Sequence, residues 1–472
     1  MGRLIIVSNR VGGSIVPSEG GLVTAMQAAL GMQEAVWFGW SGTVTDGPPG
    51  PTRSERDGRI TRMVVDLQRA NYEGYYLAFA NRMLWPLFHY RIDLAEYDRE
   101  AWAAYCQVNE LFAARLAEIL APDDLVWVHD YHLMQVGAAL RRLGVGNRIG
   151  FFLHIPFPPT GVLATLPVHE ALVRALFAYD LVGFQTETDL QCFGDYVERE
   201  AGGWMIHGAT AHAYGTSLEV GVFPISVDTR IVAAQAARAS RTGQAARLYQ
   251  SLSGRRLVIG VDRLDYSKGL VGRLAAVERL LDRQAHYRRA IVMLQIASPT
   301  REEIPEYQNL RAELDACMGR INGRFGEPDI LPVRYLNRRF RQETLFGFYR
   351  ASRVALVTPL RDGMNLVAKE FVASQDSLDP GILVLSRFAG AARELDAALI
   401  VNPYDIDEVA ATLDRALAMS LEERRERHRA MLARLCDYDI HAWFKAFLDA
   451  LQQPQTAPVP ELPSSCAVEL RH

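Results

Sequence analysis

The sequence predicts an α/β protein with two doubly wound parallel sheets facing a central cleft, and three observations carry that prediction. Short apolar, β-branched runs alternate with stretches of helical period along most of the chain. The alternation restarts after about residue 226, and 472 residues exceed what one core holds. Charged or imidazole side chains stand at the ends of six apolar runs, where open α/β sheets place their ligands.

The elements follow in order. Leu4–Ser8 reads as a buried strand ending in Asn9, Arg10 and a Gly/Ser/Pro loop, after which Gly20 and Gly21 open a helix over Leu22–Leu30. That is a dinucleotide-type βα order, but G-x-G-x-x-G is absent and a redox cofactor is not supported. Strands follow at Leu125–Val128, Ile149–Leu153, Leu181–Phe184 and Glu219–Phe223, with helices at Trp102–Leu120, Met134–Leu143 and Leu190–Arg199. A long Ala/Arg/Gln helix is expected over Thr229–Leu252. The second set of strands is Leu257–Val261, Ala290–Ile296, Pro332–Tyr335, Val354–Val357, Ile382–Leu385 and Leu399–Val401. The expected division is residues 1–226, residues 227–438, a final helix over 439–452 and a Pro-rich, disordered tail over 453–472. The final helix carries Trp443, Phe444 and Phe447 and is expected to bury them against the first domain.

Composition excludes several classes. A net charge of −4 gives no nucleic-acid footprint. No apolar run reaches membrane-spanning length. Five scattered cysteines without C-x-x-C point to reduced thiols in a cytoplasm. The first strand begins too early for a secretory signal to precede it.

The strongest local signal is Thr358 to Glu370. Asn365 is placed to cap a helix beginning at Leu366, leaving the N–H groups of Leu366 and Val367 free for an anion. Gly363 allows close backbone approach, and Asp362 and Glu370 flank the same point. An anion cradle between two carboxylates suits a diphosphate with neighbouring hydroxyl pairs, as in a nucleotide sugar; an ordinary strand-to-helix turn is the plainer alternative. Other strand ends present Arg10, His129-Asp130-Tyr131-His132, His154, Arg263 with Lys268, and Arg301. Each has a plain reading too: His154 and Trp85 as core, Asp130 as a cap, Lys268 in a surface turn. His129 and His132 lack a third ligand at metal spacing. The arginines at 334, 338, 339 and 341 read as a solvated face or as help for an anionic ligand. Read as chemistry, Arg263 and Lys268 neutralise a departing diphosphate, and Arg10 with Arg301 forms a second anion site.

His129–Leu133, Phe151–Pro158, Arg263–Gly269 and Thr358–Glu370 together resemble the trehalose-6-phosphate synthases, retaining glycosyltransferases of the two-Rossmann GT-B fold. The likeness runs from about residue 3 to 450. It implies metal-independent transfer of glucose from a nucleoside diphosphate glucose to glucose 6-phosphate, with no cofactor, in a cytoplasmic homo-oligomer (dimer or tetramer). It further implies that Gly21, Arg263, Lys268 and the amides of Leu366 and Val367 hold the diphosphate, in the loop that also contains Met364 and Asn365. Glu370 takes the ribose, and His154 and Asp362 the donor glucose. Arg10, Tyr76, Trp85, Asp130 and Arg301 grip the acceptor, with Trp40 lining the cleft. The chain departs from the pattern in a shorter Val11–Glu19 loop and in Gly161-Val162-Leu163, where relatives commonly carry a Glu-Ile-Phe type segment. These departures keep open a related enzyme with another acceptor, such as a glucosylglycerol-phosphate synthase or a cyclitol-coupling enzyme; a non-catalytic sugar-phosphate sensor is a third reading.

Overall fold

A computed structural model describes residues 2–11 and 34–453. Gly21, the helix expected at Leu22–Leu30, most of the Val11–Glu19 loop and the tail after Gln453 lie outside the described residues. Ten strands form the first sheet: β1 (Leu4–Arg10), β2 (Ala35–Thr45), β3 (Arg53–Asp57), β4 (Ile60–Gln68), β5 (Leu125–His129), β6 (Ile149–Phe152), β7 (Leu181–Phe184), β8 (Trp204–Ile206), β9 (Thr210–Ala213) and β10 (Thr216–Val222). Their order is β3-β4-β2-β1-β5-β6-β7-β10-β9-β8. The second sheet holds β11 (Arg256–Arg263), β12 (Ile291–Ser298), β13 (Val333–Leu336), β14 (Val354–Val357), β15 (Ile382–Ser386) and β16 (Leu399–Val401), ordered β13-β12-β11-β14-β15-β16.

The second sheet is parallel throughout. Helices cover both its faces, so its strands are near-continuous apolar runs, as the sequence showed. In the first sheet β2, β1, β5, β6, β7 and β10 are parallel, but β3 and the β8–β9 pair add antiparallel edges. Parallel register brings chemistry-bearing residues level at the strand ends: Ser8 lies beside His129, and Arg263 beside Ser298.

Two expectations need correction. The helix predicted over Thr229–Leu252 is two helices, Thr229–Ala239 and Gly243–Ser251. Ser240, Thr242 and Gly243, the last at φ +59°, interrupt a run whose alanines and arginines otherwise favour one helix. Strands β2, β3 and β4 are not among those predicted: Arg53–Asp57 is wholly exposed, with four charged residues and no apolar alternation to read, whereas Ala35–Trp40 in β2 is a continuous buried run whose signal was present in the sequence.

The last helix, Ile440–Gln452, begins at Asp439, whose carboxylate accepts from the N–H groups of His441 and Ala442 at 2.9 and 3.0 Å. It returns to the first sheet. Phe447 stacks on Trp127 with centroids 4.2 Å apart, and the Trp443 indole donates to the Phe223 carbonyl at 3.0 Å. Gly150 and Gly183 make room, since a Cβ on either would stand 2.8 Å from the Phe447 ring. No described helix is long and apolar enough to cross a membrane. Phe447, fully buried, is therefore a strong test of this docking. Phe447→Ala should cost about 3–5 kcal/mol of unfolding free energy in urea, and a loss below about 1 kcal/mol would contradict the docking described.

Candidate active site

The C-terminal ends of both sheets meet at a close backbone crossing. A Cβ on Gly363 would stand 2.1 Å from the His154 carbonyl oxygen, and one on Gly390 would stand 1.9 Å from the Gly363 carbonyl oxygen. Both neighbours are backbone and cannot swing away, so glycine is required at each. The contact brings the end of β6 directly against the loop that follows β14.

On the β14 side, Asn365 adopts φ +74° and caps the helix Leu366–Ser374 by accepting from Ala368 N–H at 3.3 Å. Its amide also donates to Asp362 Oδ2 at 2.9 Å, and Lys268 Nζ donates to the same oxygen at 2.5 Å. Burial alone would raise the Asp362 carboxyl, but Lys268 outweighs it and holds the group below its ordinary range. Met364 is buried beneath the turn. The N–H groups of Leu366 and Val367 open the helix with no acceptor among the described residues. One turn on, Glu370 accepts from Gln342 Nε2 at 2.9 Å, and burial pushes its carboxyl up to about 7.

Beside this turn lies a basic cluster. Asp265, with no exposed surface, accepts from its own loop at Ser267 N–H (2.9 Å) and from Trp85 Nε1, across the cleft, at 3.4 Å. Arg301 Nη1 reaches Asp265 Oδ2 at 3.4 Å, and Arg263 stands 3.9 Å from it. Burial opposes ionisation of Asp265, but Arg301, Arg263 and Lys268 together hold it down to about 2. The Trp85 ring lies under both guanidiniums, 4.1 Å from that of Arg301 and 5.0 Å from that of Arg263.

The opposite wall comes from β1, β2 and a π-helical run over Tyr72–Leu84. Arg10 is exposed at the end of β1, 5.7 Å above the Trp40 ring. Trp40 also meets Tyr76, which stacks on Tyr72 (5.5 Å) and on His132 (5.9 Å). Arg301 Nη2 donates to Tyr131 Oη at 3.0 Å, joining the second sheet's loops to this wall. Asp130 sits between the halves at φ +76°, and its Oδ1 accepts from His154 N–H at 3.2 Å. It does not cap the turn that follows it. Burial pushes Asp130 up to about 6 against the pull of the Tyr131 and His154 N–H groups and of Arg263 and Arg301. His154 Nε2 meets His129 Nδ1 at 3.0 Å; burial holds the His154 ring down to about 3, and burial, with His154 beside it, holds His129 well below its ordinary value. The two rings are neutral and share one proton between these nitrogens. Among the described residues no group of His, Cys, Asp or Glu is placed to hold a metal ion.

These contacts join Trp85, Asp130, His154, Arg263, Lys268, Arg301, Asp362 and Asn365 in one neighbourhood, with Arg10, Trp40 and Tyr76 on the adjoining wall and Glu370 one turn along the helix that Leu366 and Val367 open; Gly21 lies outside the described residues. Asp265, Tyr131, Gln342 and Tyr307, whose hydroxyl accepts from Arg301 Nη1, are partners that no single motif singles out, as is His129 in its pairing with His154. Asp265 had a readable signal: it lies between Arg263 and Lys268, and clustered cations need a counter-charge.

The family model described as glycosyltransferase family 20 matches residues 7–453. The chain belongs to glycosyltransferase family 20. As a member of that family it is a glycosyltransferase, and its relatives match it nearly end to end. A trehalose-6-phosphate synthase of Sinorhizobium fredii is 48% identical over 457 residues, covering 96% of this chain and 98% of that protein. The crystal structure of a UDP-forming α,α-trehalose-phosphate synthase from Burkholderia xenovorans, in complex with glucose 6-phosphate, superposes with a TM-score of 0.94 at 47% identity. It covers 96% of this chain and 100% of that one. An E. coli relative bound with UDP-2-fluoro glucose is 44% identical, with a TM-score of 0.90 and coverage of 96% and 99%.

Glu370 provides a pH test of this glycosyltransferase's site. Its folded carboxyl keeps its proton to about pH 7, whereas the ordinary value is 4.5. The native state thus binds more protons in that window, and the favourable contribution present below pH 4.5 is lost as pH rises through 7. Glu370→Gln should flatten this loss and raise stability at pH 8 by on the order of 3 kcal/mol. Urea titrations from pH 4 to 8 with the same slope in both proteins would contradict it.

Proposed function

We propose that this chain transfers glucose from UDP-glucose to the anomeric hydroxyl of glucose 6-phosphate with retention, giving α,α-trehalose 6-phosphate and UDP. The observation that carries the reading is the Lys268–Asp362–Asn365 cluster at an open helix start, with Arg263 and Arg301 alongside and Arg10 on the aromatic wall opposite. The relatives described as trehalose-phosphate synthases, with glucose 6-phosphate or a UDP-glucose analogue bound, support the choice of substrates.

In this reading Arg263, Lys268, Gly21 and the amides of Leu366 and Val367 take the diphosphate. A guanidinium forks onto two oxygens while the ammonium acts as a point charge, and both gain strength as negative charge grows on the leaving group. Glu370 takes the ribose hydroxyls; His154 and Asp362 orient the donor glucose; Met364 and Asn365 shape the turn. Arg10 and Arg301 grip the acceptor phosphate, and Tyr76, Trp85 and Asp130 its sugar, with Trp40 lining the entrance. The bond from the donor C1 to the β-phosphate oxygen breaks as C1 bonds the acceptor oxygen on the same face. The acceptor proton passes to the departing phosphate, so no side chain needs to act as the base.

In this reading most acceptor contacts come from residues 1–226 and most donor contacts from residues 227–438, with Gly21 and His154 reaching across to the donor and Arg301 to the acceptor, and residues 439–452 return to the first half. The reading extends to a cytoplasmic homo-oligomer, dimer or tetramer, for which the free thiols among the described cysteines and the family likeness are the support. Light scattering of the purified chain reads its mass.

The decisive assay supplies UDP-glucose and glucose 6-phosphate and detects trehalose 6-phosphate and UDP; no product from either UDP-glucose or another nucleoside diphosphate glucose sinks the proposal. Arg263→Ala and Lys268→Ala should each lower turnover about 10²–10³-fold while the protein remains folded by circular dichroism. Near-normal turnover in either variant refutes its role at the leaving group.

A further inference from the structure

Away from the cleft, the β13 edge of the second sheet carries a cavity of about 430 Å³, bounded by β12, β13 and the helices Gly243–Ser251 and Gln342–Arg350. Its floor is apolar: Leu248, Leu294, Leu336, Phe340 and Phe348. Its rim is cationic: Arg247, Arg334 and Arg338. None of the residues assigned above to the donor or the acceptor lines it.

The charges around this cavity are unbalanced. Arg334 donates to Ser251 Oγ at 2.7 Å and to the Ser251 carbonyl at 3.1 Å. Arg255 donates to that same carbonyl at 3.0 Å, so two guanidiniums share one neutral acceptor. The Nη1 of Arg255 is buried without a hydrogen-bond partner, and Arg338 lies 4.5 Å over the Phe340 ring. Among the described residues no carboxylate forms an ion pair with Arg247, Arg255, Arg334 or Arg338, whereas about half of the other arginines of this half have one. A solvated arginine face needs no counter-ion, and Arg247 and Arg338 are exposed, but Arg334 is only partly exposed with the partly exposed Arg255 behind it, and Arg247, Arg334 and Arg338 stand around one apolar floor.

We propose that this cavity binds a small organic anion, with a phosphate or similar oxyanion held by Arg247, Arg334 and Arg338. A flat apolar or aromatic body then rests on Leu294, Leu336 and Phe348. Guanidinium forks match oxyanion geometry, and an apolar concavity with a few convergent polar groups is the usual form of a small-molecule site. The site also adjoins the nucleotide-sugar half-site mechanically. The helix Gln342–Arg350 carries Phe348 on this floor and Gln342, the partner of Glu370, at its first residue.

The test uses 2-naphthyl phosphate, an aryl phosphate followed by its own fluorescence, titrated into the full-length protein with and without saturating UDP. The expected result is one-to-one binding that UDP does not displace. Arg247→Ala should weaken it about tenfold, and Leu248→Trp, which fills the floor, should abolish it, with glucosyl transfer retained in both. No binding, displacement by UDP, or equal affinity in wild type and Arg247→Ala would overturn the proposal. The Arg247→Ala arm lies on an exposed side chain and stands even if the tryptophan variant fails to fold.

Discussion

The cleft depends on one buried carboxylate. Asp265 has no access to water, yet it stays ionised because Arg301, Arg263 and Lys268 surround it. Without it, the buried Arg301 and Lys268 would face one another in a low dielectric with the half-exposed Arg263 alongside, and a buried unpaired charge is costly. With it, the cations share one anion, and Lys268 has Asp362 as a second. Asp265, Asp362 and, above about pH 6, Asp130 set three carboxylates against these three cations, and Arg10 on the opposite wall adds a fourth cation with no carboxylate partner among the described residues. That residual charge is what a diphosphate or sugar phosphate would neutralise. Asp265 also accepts from Trp85 Nε1, so the same carboxylate ties the second sheet's loops to the wall opposite.

Three of the seven described non-glycine residues with positive φ stand at the same place. Asp130, Arg301 and Asn365 all adopt positive φ without being glycine. Each such residue costs on the order of 1–3 kcal/mol and persists only where its surroundings over-determine it. Those surroundings are visible. Asp130 N–H donates to the Phe152 carbonyl at 2.8 Å while its carboxylate receives His154 N–H. Arg301 is gripped by Asp265, Tyr307 and Tyr131. Asn365 is held through Asp362 and Ala368. The bare Gly363 backbone lying against His154 completes the set. Rigid positioning of this kind is what group transfer between two bound sugars requires.

Much of this was legible in the sequence, for physical reasons. Strands buried on both faces must be continuous apolar runs, so Leu181–Phe184, Val354–Val357 and Leu399–Val401 could be delimited to the residue. The charged edge strand Arg53–Asp57 has no such constraint, and the break at Gly243 lay hidden in a helix-favouring run. The Asn365 cap and the free amides after it followed from local rules. Partnerships between distant segments did not. Lys268 and Asp362 are 94 positions apart, and Tyr131 and Arg301 are 170 apart; only the fold brings them together. The motif likeness gathered those segments into one site where spacing alone could not.

The role given to Asp265 is tested most directly by Asp265→Asn, which keeps the shape and removes the charge. The variant should lose about 3–5 kcal/mol of unfolding free energy without ligand. Thermal shifts should show that deficit shrinking when UDP and glucose 6-phosphate are added, because their phosphates then supply the missing counter-charge. Wild-type stability in the ligand-free variant would contradict the account.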